Sequence, residues 1–170
     1  MHKKKFLGHL FFILAMCTSL QVHCADTVIG SLIIKEPRAR ATSPGAKVAA
    51  GYLSIENIGD QDERLVTVNS EFAQISEIHE MKMEGDVAKM RPLNGGLEIP
   101  AGAQIDLNPG GLHIMFMKLQ QQLQDGELHP VVLNFKLQGK VRILFEVHKN
   151  PSIEASGHHG HNSHTTDERH

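Results

Sequence analysis

The sequence predicts an all-β domain built as a two-sheet sandwich. From residue 25 to residue 148, short apolar runs alternate with Gly, Pro, Asn and Asp, a pattern typical of strands joined by turns. No stretch keeps a helical repeat over three turns, and the nearest rival, residues 119–128, is polar and short of apolar anchors. Many short strands without helices between them favour a sandwich over a mixed fold.

The strands follow in order from their composition and alternation. Strict alternation of apolar and polar side chains predicts the last two, at 131–137 and 141–147, joined by a tight turn at Gln138-Gly139. Earlier strands are predicted at 29–35, 48–57, 64–69, 73–83, 87–91, 104–107 and 112–119. We find no internal repeat and no domain linker before Asn150.

Alternation also assigns side chains to faces. In the strand 112–119, one face carries Leu112, Ile114 and Phe116, and the other carries His113, Met115 and Met117. If the apolar face enters the core, the His and Met side chains project outward or into a cleft. His79, Met81 and Met83 share a face of their own strand in the same way. The sequence alone leaves open whether these two strands are neighbours.

The two ends of the chain differ from the predicted domain, residues 25–149. Residues 1–24 have three lysines followed by an apolar run from Phe6 to Leu20, as in a secretory signal peptide. We expect cleavage after Cys24 and a periplasmic protein. Met16 before Cys17 fits a lipidation signal poorly, so we expect no lipid anchor. Residues 150–170 are almost free of apolar side chains and predict a disordered, His-rich tail.

The cysteine count and the charge exclude several classes of protein. Both cysteines, Cys17 and Cys24, lie in the predicted leader, so the mature domain has no thiolate. This excludes a blue-copper electron carrier, which needs a His₂Cys set, and a thiol–disulfide reductase. Removing the leader lowers the formal net charge from −2 to −5, which favours neither nucleic acid nor an anionic lipid surface as a partner. No catalytic motif is present, and we expect no enzyme and no membrane contact except through partners.

Soft metal donors are concentrated between His79 and Met117. This segment holds every methionine beyond the first 16 residues, namely Met81, Met83, Met90, Met115 and Met117. A methionine in a β-domain is more often a filler of core gaps, but five within 37 residues are hard to attribute to packing. Thioether sulfur and imidazole nitrogen together select copper, above all Cu(I). The segment therefore predicts copper binding.

The spacing of four of these residues narrows the prediction. Ten residues separate His79 from Met90, 22 separate Met90 from His113, and Met115 completes a His-x-Met pair. This pattern resembles the signature of the periplasmic copper chaperones of the PCu(A)C type, with one extra residue that a loop around Asn94 can absorb. The runs AAGYLSIEN, MRPLNGGLEIPAG and NPGGLHIMFMKL extend the resemblance over about residues 30–148.

The resemblance implies a cupredoxin-like (Ig-like) β-sandwich with an exposed Cu(I) site. The ligands that it implies are His79, Met90, His113 and Met115. Met81 and Met117 lie outside the signature and are either auxiliary donors or, as we favour, fillers or rim residues; Met83 is undecided. His129 and His148, at strand ends, are expected to be ordinary surface or capping histidines.

The resemblance also implies a partner and a second metal site. Such proteins deliver Cu(I) to the CuA centre of cytochrome oxidase subunit II, directly or through a thiol-bearing assembly factor. Some carry a similar tail, which implies a second copper, Cu(II), held by imidazoles of the tail. The candidates in this chain are His158, His159, His161 and His164. The alternatives are a copper-buffering or resistance protein without an oxidase client, a metal-free β-sandwich interaction module and, for the tail, a merely soluble terminus.

Overall fold

The computed structural model of the protein describes residues 26–151. The predicted leader, its cleavage site and the four candidate tail histidines lie outside the described residues, so these predictions stand untested.

Within the described residues, all regular structure is β-strand, which confirms the predicted all-β class. The strands are β1 (Thr27–Ile29), β2 (Leu32–Arg40), β3 (Val48–Asn57), β4 (Glu63–Ser70), β5 (Ala73–Glu84), β6 (Val87–Pro92), β7 (Leu97–Ile99), β8 (Gln104–Leu107), β9 (Leu112–Leu119), β10 (Leu128–Phe135) and β11 (Gly139–His148). Residues 26–151 contain no helix of the length and apolarity needed to cross a membrane.

The described strands form one continuous mixed sheet. Its order is β6-β5-β9-β3-β2-β11-β10-β4-β7, with β1 added beside β2 and β8 beside β3. The pairing of β11 with β2 is parallel, and the other described pairings are antiparallel. The continuity arises because β3 pairs with β9 through residues 48–51 and with β2 through residues 51–57.

The sheet folds over on itself and encloses the core. Phe116 of β9 and Phe145 of β11 lie three places apart in the strand order, yet their rings meet edge to face with centroids 5.9 Å apart. Phe72, in the link between β4 and β5, packs on Phe116 at 4.8 Å. Both Phe116 and Phe145 are fully buried. Burying such large apolar rings between two layers is the main stabilising contribution in a sandwich.

The strand predictions agree with the structure except at short or irregular elements. The turn predicted at Gln138-Gly139 lies at 136–138, because β10 ends at Phe135 rather than at 137, and Gly139 begins β11 with a φ of +74° that favours glycine. The three-residue strand β7 was not predicted, and the predicted strand 29–35 is divided by a turn at 30–31 between β1 and β2. Strand β2 extends to Arg40 beyond a register shift at 35–38. Glu36 has a φ of +49° at that shift, a local feature that alternation does not encode.

One end of the sheet is a hairpin formed by β5 and β6. Strand β6 is the last in the strand order, and every residue in it is exposed. Strand β5 pairs with β9 from Ala73 to Glu80, whereas residues 81–84 pair with β6 alone. The hairpin therefore projects beyond its neighbour β9.

Candidate metal centre

His79 and His113 face each other across two adjacent strands. They are direct register partners of the antiparallel pair β5–β9, and their ring centroids are 6.0 Å apart with a tilt of 47°. The sequence did not reveal this adjacency, because the two residues are 34 positions apart. The structure thus answers the question that alternation left open, since the two predicted His/Met faces form one surface.

The two methionines of the signature lie on either side of this pair. Met115 is two residues beyond His113 on β9, on the same face, and pairs with Glu77. Met90 lies on β6, two residues from Pro92, which is the register partner of His79. The structure therefore places all four predicted ligands on one face of three adjacent strands, with His79 on the middle strand.

A hydrogen bond selects the tautomer of His113. Its Nδ1 lies 3.0 Å from the carbonyl oxygen of Gly111, and since a carbonyl only accepts, Nδ1 carries the proton. The other ring nitrogen, Nε2, then holds a lone pair. This Nε2 is buried and has no hydrogen-bond partner among the described residues. A buried nitrogen without a partner is costly, and a metal ion is one way to satisfy it.

His79 shows the same arrangement with the two nitrogens exchanged. Its Nε2 lies 3.1 Å from Oε2 of Glu77 and donates to that carboxylate, while its Nδ1 is buried and unpartnered in the described structure. A carboxylate behind a histidine orients a metal-binding ring and raises its basicity. The pair would therefore present Nδ1 of His79 and Nε2 of His113 to an ion.

Among the four predicted ligands, solvent exposure is low for the two histidines and highest for Met90. His113 is 4% exposed and the side chain of His79 is 12% exposed, whereas Met90 is 45% exposed. Met115 is half-buried and borders a shallow pocket of about 310 Å³ together with Val48 and Ala50 of β3. The histidines are thus fixed within the sheet, and Met90 is the ligand most accessible to solvent.

The two proposed auxiliary methionines occupy different positions. Met81 is the direct register partner of Met90 and lies two residues from His79 on the same face. Met117 pairs with Ile75 and Val48, four register positions away from the histidine pair. Both side chains are half-buried.

Residues 26–151 contain no cluster of the kind that holds Zn²⁺, Mg²⁺ or Ca²⁺ in proteins. No group of three or more His, Cys, Asp or Glu side chains in this range is arranged to hold an ion. Two imidazoles flanked by thioethers differ from such clusters in chemistry, since this donor set suits soft Cu(I) rather than Zn²⁺, Mg²⁺ or Ca²⁺.

The two histidines that the structure describes outside the segment 79–117 have protein partners. His129 pairs with Glu127 at 2.9 Å, lies 3.4 Å from Gln121 and packs on Phe72. His148 lies 3.4 Å from Glu146. Each of the two therefore has a carboxylate partner two residues earlier in the chain.

Sequence reasoning missed two groups that shape the site, Glu77 and the carbonyl of Gly111. Glu77 was detectable, because it is two residues before His79 and so shares its face of the strand. The carbonyl of Gly111 was not, because any residue supplies a carbonyl oxygen and only the fold aims it.

The chain matches a family model and a curated relative. Residues 32–147 match the model described as putative lipoprotein LpqE-like. The chain is 29% identical over 102 residues to the putative lipoprotein Lxx21020 of Leifsonia xyli subsp. xyli, a match that covers 60% of this chain and 61% of that protein. The match thus spans less than two thirds of that relative's length.

Solved structures with the same fold carry the name PCuAC. The copper-bound PCuAC domain from PmoF2 is 21% identical, with a TM-score of 0.63 over 74% of this chain and 99% of that domain. The apo PCuAC domain from PmoF1 is 26% identical, with a TM-score of 0.62 over 72% of this chain and 98% of that domain. Cu(I)-DR1885 from Deinococcus radiodurans is 24% identical, with a TM-score of 0.59 over 75% of this chain and 83% of that protein. With a family model that spans most of the chain and a fold shared with these domains, the protein belongs to the LpqE-like family, the family of PCuAC domains.

Proposed function

We propose that this protein is an exported, non-enzymatic copper carrier that binds Cu(I) through His79, His113, Met90 and Met115. One observation carries the proposal. Two register-paired histidines each give one ring nitrogen to a protein oxygen and keep the other buried, with no partner among residues 26–151. Two similar domains were solved with copper, the PCuAC domain from PmoF2 and Cu(I)-DR1885, and this supports copper as the cargo.

The chemistry of the donors suits a carrier. Cu(I) prefers soft donors and accepts low coordination numbers, and thioether sulfur binds it without having to lose a proton. Imidazole adds a stronger donor. A site without thiolate yields its ion to an acceptor that has thiolates, because thiolate is the better ligand for Cu(I).

The gradient of exposure supports an order for the transfer. Met90, the most exposed ligand, is the first to be replaced: its sulfur–copper bond breaks as an acceptor thiolate bonds to the ion. The less exposed histidines release last. Copper stays Cu(I) throughout, so the transfer needs no electron donor.

The acceptor that we propose is the CuA centre of cytochrome oxidase subunit II or a thiol-bearing assembly factor. Support comes from the family resemblance and from the thiolate chemistry of such acceptors. Export to the periplasm is supported by the basic and apolar leader and by the lipoprotein names of the family and of the curated relative. The lipid anchor that those names suggest would depend on Cys17, which lies outside the described residues.

The tail histidines remain a proposed second site, for Cu(II). The test is the Cu(II) stoichiometry of the chain with and without residues 157–170. Loss of one equivalent on truncation supports the second site, and equal stoichiometry shows that the tail is only a soluble end.

X-ray absorption on the Cu(I)-loaded chain tests the main site. We expect a first shell of nitrogen and sulfur. The number of sulfur ligands decreases when Met115 is replaced by Leu, and the number of nitrogen ligands decreases when His79 is replaced by Gln. The variant His129→Gln is the matched control: His129, like His79, has a 12% exposed side chain and a glutamate two residues earlier in the chain. A first shell without sulfur would overturn the ligand assignment.

Copper transfer to a purified CuA domain tests the proposed acceptor. Copper that moves to the CuA domain under anaerobic reducing conditions supports the carrier role. A loaded protein that keeps its copper in the presence of that acceptor would instead favour copper buffering.

A further inference from the structure

The β5–β6 hairpin has two chemically different faces. The face opposite the histidines carries charged side chains that pair with one another: Lys82 with Glu80, and Lys89 and Arg91 with Glu84. The face that continues from His79 carries Met81, Met83 and Met90, with Ala88 opposite Met83. The charged face accounts for the solubility of the hairpin. It does not explain three methionines on the other side.

Core packing does not explain these methionines either. Met83 is 65% exposed and Met90 is 45% exposed, and both lie where the hairpin has passed the end of β9. A methionine that fills a gap in the core would be buried. Exposed thioethers grouped on one face therefore call for another role.

The register brings the three sulfur atoms within reach of one another. Met81 and Met90 are direct partners, which puts their Cβ atoms about 5 Å apart in an antiparallel pair. Met83 is two residues further along the same face of β5, about 7 Å from Met81. Each methionine side chain has three rotatable bonds, so three sulfurs on such a patch can converge on one ion.

We propose that Met81, Met83 and Met90 form a second, all-thioether Cu(I) site at the exposed end of the hairpin. The inference rests on the proposed copper-carrier function and adds a separate site to it. An all-thioether set selects Cu(I) and is weaker than a set that includes imidazole. Since Met90 belongs to both sites, an ion captured at the hairpin moves inward as the bonds to Met81 and Met83 break and bonds to His79 and His113 form. Copper therefore reaches and leaves the histidine pair through this hairpin site.

The test uses the chain from residue 25 to residue 170, labelled with ¹³C at the methionine methyl groups and titrated with Ag(I) as a redox-silent probe for Cu(I). We expect the first equivalent to shift the methyl signals of Met90 and Met115. A second, weaker equivalent then shifts those of Met81 and Met83, with the thioether of Met90 bridging the two ions. Ions bound by tail histidines do not move these signals directly.

The variant Met83→Leu keeps the apolar volume and removes one sulfur. We expect it to weaken the second step at least tenfold and leave the first step unchanged. Val87→Ala is the matched control, because Val87 is a 59% exposed apolar residue on the charged face of the same hairpin, and it should leave both steps unchanged. Methyl signals of Met81 and Met83 that stay fixed after two equivalents, or a second step that survives Met83→Leu, overturn the proposal. Absence of the first step alone overturns the four-ligand site instead.

Discussion

His79 and His113 are direct partners across β5 and β9. In each ring one nitrogen bonds a protein oxygen, while the other is buried and has no partner in the described part of the chain. The two rings reach this state through opposite tautomers, Nε2–H in His79 and Nδ1–H in His113. The hydrogen bonds thus fix both tautomers before any ion arrives. Preset donors lose little freedom on binding, which favours affinity.

Replacement of His113 by Gln should weaken Cu(I) binding by about 100-fold or more, since altering groups behind a ligand already costs 10- to 100-fold. Competition with a chromophoric Cu(I) chelator measures the affinity. His129→Gln is the control, because His129 is a partly buried histidine with protein partners on both ring nitrogens. Equal affinities for the two variants would show that His113 is not a ligand.

Replacement of Glu77 by Leu should weaken Cu(I) binding by about tenfold and disturb the tautomer of His79. The carboxylate holds the proton on Nε2, and without it the neutral ring is free to exchange tautomers. Long-range ¹H–¹⁵N spectra of the metal-free protein report the tautomer directly. Glu127→Leu, which removes the equivalent carboxylate from His129, should leave the Cu(I) affinity unchanged. A tautomer of His79 that persists in Glu77→Leu would contradict this role of Glu77.

The sequence predicts which face of its strand each site residue lies on better than it predicts which strands are neighbours. Strand alternation places Met115 and His113 on one side of β9 because the side-chain period in a strand is two, a local property. The pairing of β5 with β9 depends on the packing of the whole sandwich and is invisible to a local pattern. Alternation also gives no hint that His113 is 4% exposed, since a residue that faces away from the core can still be covered by its neighbours.

The same difference between local alternation and strand pairing explains the errors in the strand predictions. Long strands such as β3, β9 and β11 have enough residues for their alternation to show. Strand β7 has three residues and is defined by its pairing with β4 rather than by a pattern of its own. Local composition therefore predicts long elements and misses those that exist only through their partners.

Replacement of Gly51 by Ala should lower the free energy of unfolding by about 1–3 kcal/mol. A Cβ at this position would lie 2.6 Å from Cε2 of Phe116 and 3.1 Å from Cε1 of Phe145, and both rings are fully buried. Gly51 allows β3 to pass close beneath these rings. Urea denaturation measures the change. Gly111→Ala is the control, because its nearest neighbour is the carbonyl oxygen of Asn108 at 3.9 Å, and its stability should be unchanged or slightly raised. Similar losses in both variants would contradict the steric explanation.

The stability that Glu127 contributes to the folded protein should be lost in acid. The backbone N–H of Gln124 and the ring of His129 both hydrogen-bond its carboxylate, and these contacts hold its pKa below the ordinary value of 4.5. A carboxyl group with a lower pKa in the folded state stabilises the protein above its unfolded pKa. That contribution is lost as the pH falls through the folded pKa.

The variant Glu127→Gln isolates this contribution. Urea denaturation of the wild-type protein and of the variant should show a difference in unfolding free energy near neutral pH that shrinks as the pH is lowered well below 4.5. Glu71→Gln is the control, since the side chain of Glu71 is 85% exposed and lies 3.9 Å from Arg142. A difference between the wild-type protein and Glu127→Gln that stays constant across this range would show that the contribution of Glu127 does not depend on its charge.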